Sequence, residues 1–149
     1  MIEVGRYISR SPHTIGVEQS LAEARRSMSE HHVRHLPVLR GGAFVGVLSD
    51  RQVEAFEVLP GSRHLTVEEA MEPNVYVTLE NTPLDQVAEE MASRRVCSAV
   101  VVGASESTVA LGVFTAVDAL RALANALRPL SVSGEFAEGQ ISLPSGGGA

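Results

Sequence analysis

Gly46-Val47-Leu48-Ser49-Asp50-Arg51-Gln52 and Gly112-Val113-Phe114-Thr115-Ala116-Val117-Asp118 follow one pattern: a glycine, two apolar residues, a hydroxyl, and an acceptor three positions after the hydroxyl. The pattern reads as the end of a strand running into a helix. Ser49 with Gln52 makes a capping box, and Thr115 with Asp118 makes an N-cap followed by an acidic third residue. That the pattern occurs twice decides the fold, because the surrounding sequence is duplicated too.

A displacement of 63 positions places Val4 on Val67, Leu21 on Leu84, Met28 on Met91, Val33 on Val96 and Val38 on Val101. Three extra residues in the second half then bring Gly46 onto Gly112. Apolar character also persists where identity is lost, at Ile8/Met71, Pro12/Val75 and Ala24/Val87. Each half opens with a short segment, Ile2 to Ile8 or Leu65 to Met71, and continues into an extended stretch around His13-Thr14-Ile15 or Val75 to Thr78. A helix follows in each. Ser20 and Glu23 cap the first, ahead of the stripe Leu21, Ala24 and Met28; Thr82 is the expected N-cap of the second, with Pro83 in the first helical position. Next come the runs Val33 to Leu39 and Val96 to Val102, the latter apolar enough for a strand covered on both faces. The turns Gly41-Gly42 and Gly103 to Thr108 lead to strands Ala43 to Leu48 and Val109 to Phe114, and then to the last helix of each half.

The expected class is therefore α/β (α+β), two tandem β-α-β-β-α repeats packed as one pseudo-twofold unit. The expected division is 1–59 for the first repeat, 60–64 for a linker, 65–128 for the second repeat and 129–149 for a flexible tail rich in Gly, Ser and Pro. Within that tail Phe136, Ile141 and Leu143 could instead dock on a neighbouring surface.

Composition narrows the function. At 149 residues and 44% apolar content the chain can close a core. A net charge of −6 argues against a nucleic-acid groove but leaves room for a local basic pocket for a small anion. The lone Cys97 can form no internal disulfide, which suits a reducing cytoplasm. No stretch is long and apolar enough to span a bilayer, and the N-terminus lacks a signal-like basic region, so a soluble protein is expected.

Together with Ser11-Pro12-His13-Thr14-Ile15 and Val33-Arg34-His35-Leu36-Pro37-Val38, the glycine-led segments resemble the cystathionine β-synthase (CBS) domain. Two in tandem resemble a Bateman module, and the likeness covers roughly residues 2 to 128. It implies a regulatory sensor, not an enzyme, with a cleft between repeats for an adenosine-type ligand: AMP, ADP, ATP, NAD or S-adenosylmethionine. No cofactor is required. In related modules the Asp of the glycine-led motif holds the ribose, the hydroxyl residue lies near phosphate, and the cleft joins one repeat's last helix to the other repeat's strands. Carried over, the main cleft comprises Ser11, His13, Thr14, Ile15, Arg34, His35, Pro37, Val113, Phe114, Thr115 and Asp118. The second combines Val75, Tyr76, Ser98, Ser49, Arg51 and Gln52. Gln52 stands where the ribose-binding Asp belongs, so this cleft is expected to be impaired or differently selective. The resemblance further implies a homodimer, with the helix Ala119 to Leu127 in the interface, and a regulated partner protein.

Plainer readings compete at each position. Thr115 and Asp118 can be a helix cap and nothing more. Arg34 and His35 are adjacent in a strand, so their side chains point to opposite faces and only one suits a cleft unless the strand bends or ends there. His31 and His32 end a helix, where positive charge is favoured without a ligand, and the strand after them breaks the spacing to His35 that a metal would need. Cys97, in an apolar run, reads as a small hydrophobe. No arrangement asks for catalysis or metal. The alternative function is a structural dimerisation module whose clefts are vestigial.

Overall fold

The computed structural model describes residues 1–128; the tail 129–149 lies outside the described residues. Strands β1 (Ser9–Arg10) and β2 (Ile15–Gly16) precede α1 (Leu21–His31), β3 (His35–Arg40), β4 (Ala43–Ser49) and α2 (Asp50–Glu57). The second half continues with α3 (Val67–Ala70), β5 (Val77–Leu79), α4 (Leu84–Arg94), β6 (Ser98–Val102), β7 (Ala110–Thr115) and α5 (Ala116–Leu127). The β-α-β-β-α order is thus present twice, as β2-α1-β3-β4-α2 and β5-α4-β6-β7-α5. Each half builds its own sheet, β2-β3-β4 in the first and β5-β6-β7 in the second, with a parallel pair followed by an antiparallel one.

The leading segments of the two halves are exchanged. β1 pairs with β7 of the other half, Ser9 opposite Val113, while Glu72 bridges Val47 in β4. Upstream, the Val4 N–H donates to the Thr82 carbonyl and the Val67 N–H to the Gln19 carbonyl, at 2.9 and 2.7 Å. The Leu84 N–H meets the Ile2 carbonyl as the Leu21 N–H meets the Leu65 carbonyl. Every one of these pairs maps onto its counterpart by the sequence displacement, so the duplication is also a reciprocal embrace. Val67 and Ala70 are buried in the first half's core with Leu21, Ala24, Met28, Leu36 and Leu48, and Val4 in the second half's core with Val87, Met91 and Phe114. A third cluster, Val47, Val100, Val102 and Ala110 with Phe44 and Val75 against it, joins the two sheets.

The paired glycines permit this crossing. A Cβ on Gly112 would lie 2.2 Å from the Ser9 carbonyl oxygen, and one on Gly46 2.6 Å from that of Glu72. No side chain fits there, so the exchanged segments lie directly on glycine backbone.

Local departures from the sequence reading have local causes. α4 starts one residue later than expected, with Pro83 as N-cap and no side-chain cap. Pro83 is held extended by its bridge to Glu3, and the Thr82 hydroxyl is engaged by that of Thr78 at 2.9 Å. β3 and β6 start at His35 and Ser98, because Val33 and Val96 still belong to the helix ends. His32 and Arg95 adopt the left-handed conformation at φ 55° and 57°. The Val33 and Val96 N–H groups then reach back to the Met28 and Met91 carbonyls, closing Schellman turns. Cys97, just before β6, is exposed and not a core hydrophobe.

Candidate functional site

α2 and α5 begin with the same hydrogen-bonded cap. In α5 the Thr115 N–H and hydroxyl donate to Asp118 Oδ2 at 2.9 and 3.0 Å, and the Asp118 N–H returns to Thr115 Oγ1 at 3.2 Å. In α2 the Ser49 N–H and hydroxyl donate to Gln52 Oε1 at 2.8 and 3.2 Å, and the Gln52 N–H returns at 3.2 Å. The plainer capping reading therefore describes real contacts in both halves. Yet the cap engages only one Asp118 oxygen. Asp118 is 9% exposed, while no fully buried side-chain oxygen or nitrogen among the described residues lacks a partner. Its Oδ1 makes no hydrogen bond and so keeps contact with solvent, an acceptor at a helix N-terminus with nothing to accept from.

The exchanged segment pairs with β7, the strand that leads into α5. After β1 pairs with β7, the Ser11 N–H donates to the Leu111 carbonyl at 2.9 Å, and the chain crosses through Pro12, His13 and Thr14 to Ile15, which pairs with Val38 in β3. Ser11, His13 and Thr14 are half-buried and Ile15 is buried. His35, the first residue of β3, is half-buried opposite Ser49. Burial holds the His35 imidazole below the ordinary histidine pKa, against the opposing pull of the Asp50 and Asp118 carboxylates and with a further push down from the Arg34 charge. His35 therefore senses acid groups from both halves, Asp50 at the start of α2 and Asp118 in the first turn of α5. Arg34 is exposed and forms no side-chain hydrogen bond or ion pair with the described residues. Pro37 and Phe114 are fully buried, and Phe114 belongs to the second half's core.

His13 and His31 stack their rings at 3.6 Å between centroids, and Arg94 lies over the Tyr76 ring at 4.6 Å. The displacement maps the first pair onto the second. Arg94 thus lies over a residue expected in the second cleft, a cation that strand reading missed and that aligning it with His31 would have found. In that cleft Tyr76 and Ser98 are half-buried, Arg51 is exposed, and Val75 packs into the cluster between sheets. Among the described residues no group of three or more His, Cys, Asp or Glu side chains could hold a metal ion. A concavity of about 500 Å³ is lined by Glu3, Gly5, Arg6, Arg10 and Glu80, none of them a residue of either expected cleft. No described helix is long and apolar enough to cross a membrane.

The CBS domain sequence pattern matches residues 4–55 and 67–125. An L-aspartate semialdehyde sulfurtransferase from Methanocaldococcus jannaschii is 29% identical over 115 residues, 76% of this chain; the chain spans only 22% of that relative's length. Among solved structures, the CBS domain pair of protein MJ0100, in complex with 5′-methylthioadenosine and S-adenosyl-L-methionine, superposes with a TM-score of 0.67 at 25% identity, covering 85% of this chain and 98% of that one. An acetoin utilization protein described as putative, from Vibrio cholerae, gives 0.63 at 24% identity, covering 86% and 94%, a likeness of fold alone.

Proposed function

The chain belongs to the CBS-domain family, and from that premise we propose that it is a ligand-sensing regulatory module, not an enzyme, that takes an adenosine-type ligand between its repeats. The site comprises the crossing segment Ser11 to Ile15, Arg34, His35 and the start of α5. The observation that carries this reading is Asp118: one oxygen completes the helix cap and the other stays open beside the helix N-terminus, where it can accept from a ribose diol. The cap and the ligand role divide between two oxygens of one carboxylate. Gln52 completes the equivalent cap but brings no negative charge, so the second cleft binds more weakly or selects differently.

The solved CBS pair carrying 5′-methylthioadenosine and S-adenosyl-L-methionine supports the adenosine class. AMP, ADP, ATP and NAD share that moiety, and Arg34 and His35, assigned to the same cleft, suit ligands that carry phosphate. Ligand entry would draw the exchanged segments against α5, change how the repeats sit, and pass that change to a partner protein in the cytoplasm.

We further propose a homodimer built on α5. Its Val117, Leu120, Leu123 and Leu127 are exposed at 61, 65, 53 and 52%, an apolar stripe unusual for a surface helix. This stripe is also what favours the second reading, a dimerisation module with vestigial clefts.

Calorimetric titration with AMP, ADP, ATP, NAD, 5′-methylthioadenosine and S-adenosylmethionine separates the two. Asp118→Asn keeps an oxygen for the Thr115 cap while removing the charge. It should weaken binding at least tenfold with little change in melting temperature, whereas Gln52→Ala should change affinity less than twofold. Absence of binding by all six at millimolar concentration would leave the dimerisation reading standing.

A further inference from the structure

On α1, Leu21, Ala24 and Met28 are buried in the core, which turns Ala22, Arg25 and Arg26 toward another side of the helix. That side, the end of α2 and the turn Ser62–His64 between the halves border a concavity of about 310 Å³, lined by Ala22, Arg25, Arg26, Glu57, Ser62 and Arg63. Three arginines meet one carboxylate there, an excess of two positive charges in a chain whose net charge is −6. Glu57 occupies Arg25 alone, its two oxygens accepting from Nε and Nη2 at 3.1 and 3.0 Å. Arg26 and Arg63 make no side-chain hydrogen bond or ion pair with the described residues. Glu23, on which the Arg26 charge acts, is held in the Ser20 cap.

The fold does not need these charges. Across the displacement Ala22, Arg25 and Arg26 become Asp85, Ala88 and Glu89, and after the three extra residues Glu57 becomes Leu123. The second half builds the same helices with no arginine at any of these positions. We propose that the concavity is a binding site for a small polyanion, a compact ligand carrying phosphate or several carboxylates, separate from the cleft between the repeats. Its volume stands at the lower end of the range of about 300–1,000 Å³ found for small-molecule sites, which suits a compact ligand. A guanidinium presents a planar fork of donors that matches two oxygens of a phosphate or carboxylate. Ala22 lies in the first turn of α1, whose dipole adds to the positive field. Arg26 comes from α1 and Arg63 from the segment between the halves, so an anion held by both ties that segment to α1. Glu57 opposes entry, because it engages Arg25 and repels an anion.

The test is calorimetric titration of the full chain with pyrophosphate and with tricarballylate in a low-chloride buffer. Binding of pyrophosphate alone identifies a phosphate ligand, of tricarballylate alone a carboxylate ligand, and of both a polyanion of either kind. Arg26→Gln and Arg63→Gln should each weaken the binding by about fivefold or more. Neither should lower the melting temperature, since neither side chain has a partner to lose. Glu57→Gln should strengthen binding by about threefold or more, since it removes the repelling charge and loosens the hold on Arg25. Arg121→Gln, an exposed arginine on α5, should change the affinity less than about twofold. Amide NMR should place the shifts in the first turns of α1 and at Ser62 and Arg63. Binding that survives both Arg26→Gln and Arg63→Gln, or disappears only in Arg34→Gln, overturns the proposal, as does a Glu57→Gln chain that binds more weakly. Absence of binding by both probes at millimolar concentration overturns it too, and none of these outcomes bears on the adenosine titration.

Discussion

The two halves share a backbone plan down to individual hydrogen bonds but differ wherever side chains meet solvent or a cleft. His35 stands opposite Ser49 as Ser98 stands opposite Thr115, and the Asp50 and Ala116 N–H groups cap the Arg34 and Cys97 carbonyls alike. Against this frame Asp118 answers Gln52, His35 answers Ser98, and the His13–His31 stack answers Arg94 over Tyr76. Duplication preserves what the embrace of the halves needs, namely backbone pairing, glycines and apolar cores. The side chains that would touch a ligand have diverged. A structural role therefore predicts symmetric effects of mutation, and a binding role predicts asymmetric ones.

The largest expected effects are structural and nearly symmetric. Gly112→Ala drives a methyl into the Ser9 backbone at a nominal 2.2 Å, with Arg10 backbone at 3.1 Å behind it. Gly46→Ala meets the Glu72 carbonyl and the Met71 sulfur, both at 2.6 Å, but the thioether can rotate away. Both substitutions overpack against backbone and should cost about 2–3 kcal/mol, Gly112→Ala at the upper end because its contact is the closer one. Urea unfolding of the two variants should show both destabilised, Gly112→Ala more. A neutral Gly112→Ala would mean that the exchanged segment does not lie on β7.

The next effect is one-sided. α2 exposes Arg51, Glu54, Ala55 and Glu57, none of them a large apolar side chain, whereas α5 exposes Val117, Leu120, Leu123 and Leu127. Leu120→Glu changes an exposed side chain and should shift monomer stability by less than about 0.5 kcal/mol. In sedimentation the same change should turn the proposed dimer into a monomer, whereas Glu54→Leu should not alter the assembly. A dimer that survives Leu120→Glu would place the interface elsewhere.

How much of this was legible in the sequence depended on which residues carry periodic or repeated signals. The duplication, the element order and the capping boxes at Ser20, Ser49 and Thr115 follow from apolar period and hydroxyl-acceptor spacing, both local properties. The exchange of leading segments was not legible, because pairing Ser9 with Val113 is a contact across the whole chain, and two-residue strands carry no pattern of their own. Cys97 has the sequence context of a core residue because it stands in an apolar run, but the left-handed turn at Arg95 delays the strand to Ser98. At the site, the motifs named Thr115 and Asp118, but nothing in the spacing says that an aspartate at the start of α2 and one in the first turn of α5 act on the same imidazole. The ring pairs were hidden for a related reason: each joins a crossing segment to a helix end.

Those ring pairs give the smallest and sharpest contrast. Arg94 spans Tyr76 and also pairs with Glu90 at 2.6 Å, both partners near half exposure. A cation–π contact at an exposed site contributes about 0.5–1 kcal/mol, and an exposed i,i+4 ion pair about 0.3–0.5 kcal/mol. Arg94→Ala should therefore cost about 1 kcal/mol, reduced in high salt where the ion pair is screened. His31→Ala removes a ring stack and the Nδ1 contact to the Ser27 carbonyl, without any ion pair. Its cost, also about 1 kcal/mol or less, should depend on salt less than that of Arg94→Ala, because no ion pair is lost with it. Melting curves of both variants at low and high salt at pH 8 read this directly. If Arg94→Ala and His31→Ala respond alike to salt at pH 8, the two pairs are interchangeable packing, and the divergence between the halves narrows to Asp118 and His35.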